Sequence, residues 1–187
     1  MEAFVVSLLV VAVGEMGDKT QLLALVLGAR FQRPLLIVLG IFVATLANHT
    51  LAGVVGAWVR QLVPATSLRW LVAASFLAVS LWTLIPHRGG GREAKLPGRL
   101  GVFTLTTIAF FLAEIGDKTQ IATVVLAARF DNLPAVILGS TLGMLAADIP
   151  VVLLGQAGAS WLPLPALRIA AAALLALLAL VTLVAWR

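Results

Sequence analysis

Cysteine is missing from this chain altogether. Its absence excludes a disulfide framework, a thiolate zinc site, an iron–sulfur cluster and a cysteine nucleophile. Charge is scarce as well: 11% of residues are Asp, Glu, Lys or Arg, against about 25% in an ordinary soluble domain. Disorder needs low hydrophobicity and high net charge, and the sequence has the opposite balance. Of its 187 residues 61% are hydrophobic, and the mean hydropathy is +1.10. A soluble domain of this size could not hide that much apolar surface. The sequence therefore reads as an all-α polytopic membrane protein.

A membrane-spanning helix needs roughly 20 mostly apolar residues. Six such stretches are visible, at about 3–28, 34–59, 67–86, 100–127, 133–157 and 165–186. Prolines 34, 64, 86, 97, 134, 163 and 165 fall at or near their ends, where a missing N–H costs least. Trp58, Trp70, Trp161 and Trp186 also sit near span ends, and Trp82 lies a turn away, as interfacial aromatics do. The first stretch is too long for a cleaved signal peptide and has Glu2 in place of a basic leader. No soluble domain fits between the spans, so function is expected inside the membrane.

Six spans place both termini on one side. The densest basic cluster is the central loop, with Arg88, Arg92, Lys95 and Arg99. The positive-inside rule then puts that loop in the cytoplasm and both termini outside. The net charge of +5 is mostly this signal. Its basic residues are spread over short loops, which argues against nucleic acid as a partner. The partner this implies is the lipid bilayer.

Self-comparison is the most informative step. Glu15-Met-Gly-Asp-Lys-Thr-Gln21 recurs 99 residues later as Glu114-Ile-Gly-Asp-Lys-Thr-Gln120, and eleven of the seventeen positions from Glu15 to Phe31 are identical. Chance could supply matching Val, Leu and Ala, but not Glu, Gly, Asp, Lys, Thr, Gln, Arg and Phe in register. The expected organisation is a first three-helix repeat at 1–86, a basic loop at 87–99 and a second repeat at 100–187. Three is odd, so the second repeat is inverted relative to the first. Inverted repeats with broken or polar helices at their interface are a recurrent transporter architecture, with the site near the midplane.

Both motifs fall near mid-span. Ionisable side chains there cost roughly 2.5–3.5 kcal/mol each on insertion scales, so Glu15, Asp18, Lys19, Glu114, Asp117 and Lys118 must face each other, water or a ligand. The i,i+3 spacing of Glu15 and Asp18, and of Glu114 and Asp117, predicts one shared helix face in each repeat. Gly17 and Gly116 give the backbone freedom to unwind there. Each motif carries a net charge of −1, so the pair matches one divalent cation. The ligand set is all oxygen: the four carboxylates, the hydroxyls of Thr20 and Thr119, and the amides of Gln21 and Gln120. Such a set suits magnesium, calcium or manganese better than softer metals. Metal and proton compete for the same oxygens, which gives exchange at one alternately exposed site. The lysines are expected to hold a carboxylate in an ion pair when no cation is bound.

Asp148 lies mid-span in the fifth stretch, and its partner by the 99-residue offset is His49, beside Asn48. These three are accessory candidates, Asp148 as a further ligand or proton relay and Asn48 and His49 chiefly as interhelical hydrogen-bond partners. Gly40, Gly53, Gly56, Gly139 and Gly143 read as close-packing positions. Spans three and six contain no acidic residue and read as scaffold. Gly-Asp-Lys-Thr imitates the tail of a phosphate-binding loop, but Asp18 stands where that loop needs its second glycine. No nucleophile–base pair points to an enzyme, and no cofactor is expected beyond the transported ion. Two rivals remain on the residues alone: a channel or uniporter using the same acidic cluster, and a non-transporting scaffold with ion-paired charges.

Two Glu-x-Gly-Asp-Lys-Thr motifs, one in each half, resemble the signature of uncharacterised protein family 0016, also called the transmembrane protein 165 family of cation exchangers. The resemblance covers essentially the whole chain. It implies a cation/proton antiporter moving Mn²⁺ or Ca²⁺, and the bacterial members are mostly manganese exporters. It implies that Glu15, Asp18, Glu114 and Asp117 form the metal and proton site, completed by Lys19, Thr20, Lys118 and Thr119. The compact size implies a bacterial member in the cytoplasmic (inner) membrane.

Overall fold

The computed structural model describes residues 1–84 and 101–157, together with 169, 172, 173, 175–177, 179, 180, 183 and 184. The central loop, and with it the orientation argument, lies outside the described residues. So do Trp161 and Trp186. Every described element is α-helical: α1 (Glu2–Glu15), α2 (Lys19–Phe31), α3 (Pro34–Leu62), α4 (Ala65–Leu84), α5 (Val102–Glu114), α6 (Lys118–Arg129) and α7 (Leu133–Gln156). The ten described positions from 169 to 184 are helical too.

The first and fourth stretches are not continuous helices. Each breaks at its motif, α1 giving way to α2 at Met16–Asp18 and α5 to α6 at Ile115–Asp117. Gly17 and Gly116 take left-handed backbone angles, φ 77° and 74°, which a residue with a Cβ adopts only at a cost. Met16 and Ile115 are extended (ψ 122° and 119°). This corrects the shared-face expectation. Glu15 ends one helix and Asp18 caps the next, so the i,i+3 relation never forms. At 1.5 Å per residue a 14-residue half-helix covers only about 21 Å of a hydrocarbon core about 30 Å thick. Among the described helices, α3 and α7 are the two long and apolar enough to cross on their own.

The repeats exchange partners. α1 and α2 pack on α7 of the second repeat, while α5 and α6 pack on α3 of the first. The correspondence extends to single glycines. A Cβ on Gly139 would lie 2.4 Å from the Phe4 carbonyl oxygen and 3.0 Å from the Ser7 side chain; on Gly40 it would meet the Phe103 carbonyl oxygen and the Thr106 side chain at 3.0 and 2.8 Å. A Cβ on Gly155 would collide with the Leu25 carbonyl, as one on Gly56 would with that of Val124. Each pair is related to the other by the 99-residue offset. The contacts are thus reciprocal between the two halves of the sequence. The close-packing role expected for Gly40, Gly56 and Gly139 is observed. It holds for Gly143, where an added Cβ would collide with the Leu8 carbonyl, and for Gly53, where one would lie 2.9 Å from the Leu133 side chain.

Two apolar clusters flank the breaks. Leu27 and Ile37 lie in one, packed with Phe110, Val151 and Val152; their offset partners Leu126 and Val136 lie in the other, with Val10, Val72 and Phe76. Helix ends that six alternating passes would place on one side also meet. Arg60 pairs with Asp131, and Gln32 donates to the Gln156 carbonyl at 3.3 Å. α4 contacts the described helical positions near the C-terminus through Ser80, whose hydroxyl donates to the Ala172 carbonyl at 2.8 Å. Trp58 and Trp70 are exposed, as a belt requires.

Candidate functional site

The breaks create the site. At each one a helix C-terminus and a helix N-terminus come together, so free carbonyls and free N–H groups are concentrated beside the acidic side chains. The positive ends of α2 and α6 suit carboxylates and the negative ends of α1 and α5 suit cations. Asp18 and Asp117 are the N-caps of α2 and α6, and Asp117 accepts from the Thr119 N–H at 3.5 Å. Each break is braced identically. The Gly17 N–H donates to Gln21 Oε1 at 2.7 Å, and the Gly116 N–H to Gln120 Oε1 at 2.8 Å. The glutamine oxygens expected as ligands are thus already engaged with backbone.

Glu15, Glu114 and Asp117 are buried, and one carboxylate oxygen from each lies within 4.8 Å of the others. Hard cations bind oxygen at about 2.0–2.6 Å, so oxygens on opposite sides of an ion sit about 4–5 Å apart. Neither oxygen of Glu15, nor Oε1 of Glu114, has a hydrogen-bond partner among the described residues. Thr119 donates its hydroxyl to Glu114 Oε2 at 2.9 Å and also reaches Asp117 Oδ2 at 3.3 Å. Its counterpart Thr20 is buried, and its hydroxyl has no hydrogen-bond partner among the described residues.

The lysines pair across the repeats. Lys19 Nζ lies 3.1 Å from Asp117 and Lys118 Nζ lies 3.3 Å from Asp18. Sequence spacing gives no hint of this, since each lysine has carboxylates of its own motif at i−1 and i−4. The two pairs differ in setting. The Lys118 side chain is 2% exposed and that of Lys19 38%, so the site is asymmetric. Asp18 stands outside the three-oxygen cluster, held by Lys118, and the structure therefore gathers three of the four expected metal carboxylates.

The accessory candidates separate. Asn48 donates to the Phe111 carbonyl at 3.1 Å and His49 Nδ1 meets Thr141 Oγ1 at 3.3 Å; both bonds link α3 to the second repeat. Asp148 is fully buried, and neither of its oxygens has a partner among the described residues. Sequence reasoning passed over Ser7 and Ser140, buried hydroxyls that also lack a partner there. A lone serine in an apolar span was the only signal.

A family model described as "Divalent cation/proton antiporter GDT1" matches residues 3–91 and 102–187. The chain belongs to the GDT1 family. This is the family that the paired motifs resemble, and it is one of cation transporters and not of enzymes. A Vibrio cholerae protein named "Putative manganese exporter" is 46% identical over 183 residues, covering 97% of this chain and 90% of its own. A "GDT1-like protein" of Synechocystis is 30% identical over 163 residues, covering 76% and 78%. No solved structure matches.

Proposed function

We propose that this chain exports Mn²⁺ from the cytoplasm in exchange for protons, with Ca²⁺ as an alternative substrate, and that Glu15, Glu114, Asp117 and Asp18 carry both cargoes. The observation that carries the reading is the meeting of three buried carboxylates from the two repeats at paired helix breaks, with lysine ammoniums crossing between the halves. Family membership and the name of the Vibrio relative supply the substrate class. The exchange of packing partners supports two inverted three-helix repeats, 1–86 and 100–187, and the basic residues of the loop between them favour a cytoplasmic placement in the inner membrane.

The chemistry follows from charge. Asp18 and Asp117 are balanced by the lysines, which leaves Glu15 and Glu114 to be neutralised by one divalent ion or by two protons. An ion entering from the cytoplasm displaces the protons. Rocking of the halves about the two-fold relation turns the site outward, where protons displace the ion.

The test is flux in proteoliposomes with a lumenal Mn²⁺- or Ca²⁺-sensing dye. An inside-acidic gradient should drive metal uptake, and Glu15→Gln or Glu114→Gln should abolish it while leaving the protein folded. Flux that ignores the pH gradient would indicate a channel. Normal exchange by both variants would refute the site assignment.

A further inference from the structure

The two-fold relation between the repeats fails at one buried level. Position 49 of α3 is histidine, and its equivalent on α7 is Asp148. His49 is accommodated through its bond to Thr141. Asp148 is not: it is 0% exposed, and both oxygens lack a hydrogen-bond partner among the described residues. A buried carboxylate with no donor is among the costliest groups a fold can hold. Packing alone would be served equally by Asn or Leu.

Asp148 also stands against the site. The carbonyl of its neighbour Ala147 accepts from Gln21 Nε2 at 3.2 Å, and the same Gln21 braces the first break. α7 packs on both α1 and α2. Asp148 lies beside the tight oxygen cluster of Glu15, Glu114 and Asp117 and is not one of its three members. Both lysines are already paired, with Asp117 and Asp18. A carboxylate placed there calls for one more mobile positive charge than Glu15 and Glu114 do, so a divalent ion bound by all three is accompanied by a proton.

We propose that Asp148 is a further cation-binding residue. It supplies α7's contribution to the divalent-ion site and makes that site asymmetric, with carboxylate on the α7 side and imidazole at the equivalent level of α3. The inference rests on the proposed cation site of the paired motifs. Losing one carboxylate from a hard-cation site lowers affinity through the ligand charge count.

The experiment is a Mn²⁺ titration of the purified, detergent-solubilised full chain, with free Mn²⁺ read by its paramagnetic resonance signal. Asp148→Asn should fold, raise the metal-free thermal midpoint by removing an unpaired buried charge, and weaken Mn²⁺ binding by about tenfold or more. Wild-type binding by Asp148→Asn alongside failed binding by Glu15→Gln would overturn this proposal and leave the motif site standing. Wild-type binding by both would overturn the site and this proposal together. Should Asp148→Asn not fold, Asp148→Glu decides, since it keeps the charge and moves it by one methylene. A shifted Mn²⁺ to Ca²⁺ affinity ratio supports a ligand role, and an unchanged ratio refutes it.

Discussion

Removing the Lys118 ammonium tests whether the crossed ion pairs hold the halves together. Lys118 and Asp18 are 3.3 Å apart with side chains 2% and 0% exposed, so Lys118→Met takes this countercharge from a buried carboxylate. Breaking a buried pair from one side costs about 3–5 kcal/mol. At about 2–4 °C per kcal/mol for a chain of this size, the thermal midpoint should fall by about 6–20 °C. Lys19→Met removes the equivalent cation, but the Lys19 side chain is 38% exposed. Solvent screening there brings the loss toward the value for exposed pairs, about 1 kcal/mol or less. The double variant Lys118→Met/Asp18→Asn removes both charges and should recover most of the loss, because no unpaired ion remains. The assay is thermal unfolding of the four proteins in one detergent, without metal, followed by tryptophan fluorescence. Equal midpoints for Lys118→Met and Lys19→Met would refute the asymmetry argument. A double variant no better than Lys118→Met would refute the stranded-charge explanation.

Gly116→Ala should destabilise the chain by about 1–2 kcal/mol, since φ 74° is left-handed, read by the same unfolding assay. Gln21→Ala leaves the Gly17 N–H without its acceptor, at a cost of about 1–3 kcal/mol, and should slow transport as the break loosens, read by dye flux. Gly139→Val forces side-chain atoms against the Phe4 carbonyl and should sharply lower the yield of monodisperse protein, while Gly14→Ala, whose Cβ would meet Thr119 at an ordinary 3.7 Å, should not.

Much of this protein was legible in one dimension. Apolar runs interrupted by proline give the membrane class, because a bilayer accepts little else. The 99-residue echo of Glu-x-Gly-Asp-Lys-Thr-Gln gives the duplication and singles out the acidic residues, because charge at mid-span needs a reason. Gly17 and Gly116 marked where the backbone would unwind, since glycine alone enters the left-handed region freely.

Partnership across the repeats was not legible. Local spacing suggested that Glu15 and Asp18 share a helix face and left each lysine beside its own carboxylates. The tertiary structure instead sends Lys19 to Asp117 and Lys118 to Asp18, and turns Gln21 and Gln120 back onto glycine N–H groups. Those choices depend on which helix lies opposite, a distance of about a hundred residues along the chain. The same holds for Asp148. Sequence placed it mid-span, but only the packing of α7 against α1 and α2 brings it beside the motif helices, with no donor to satisfy it among the described residues. Composition and repetition determine what must be buried in the membrane. Three-dimensional packing decides which buried charges neutralise one another and which are left for a cation.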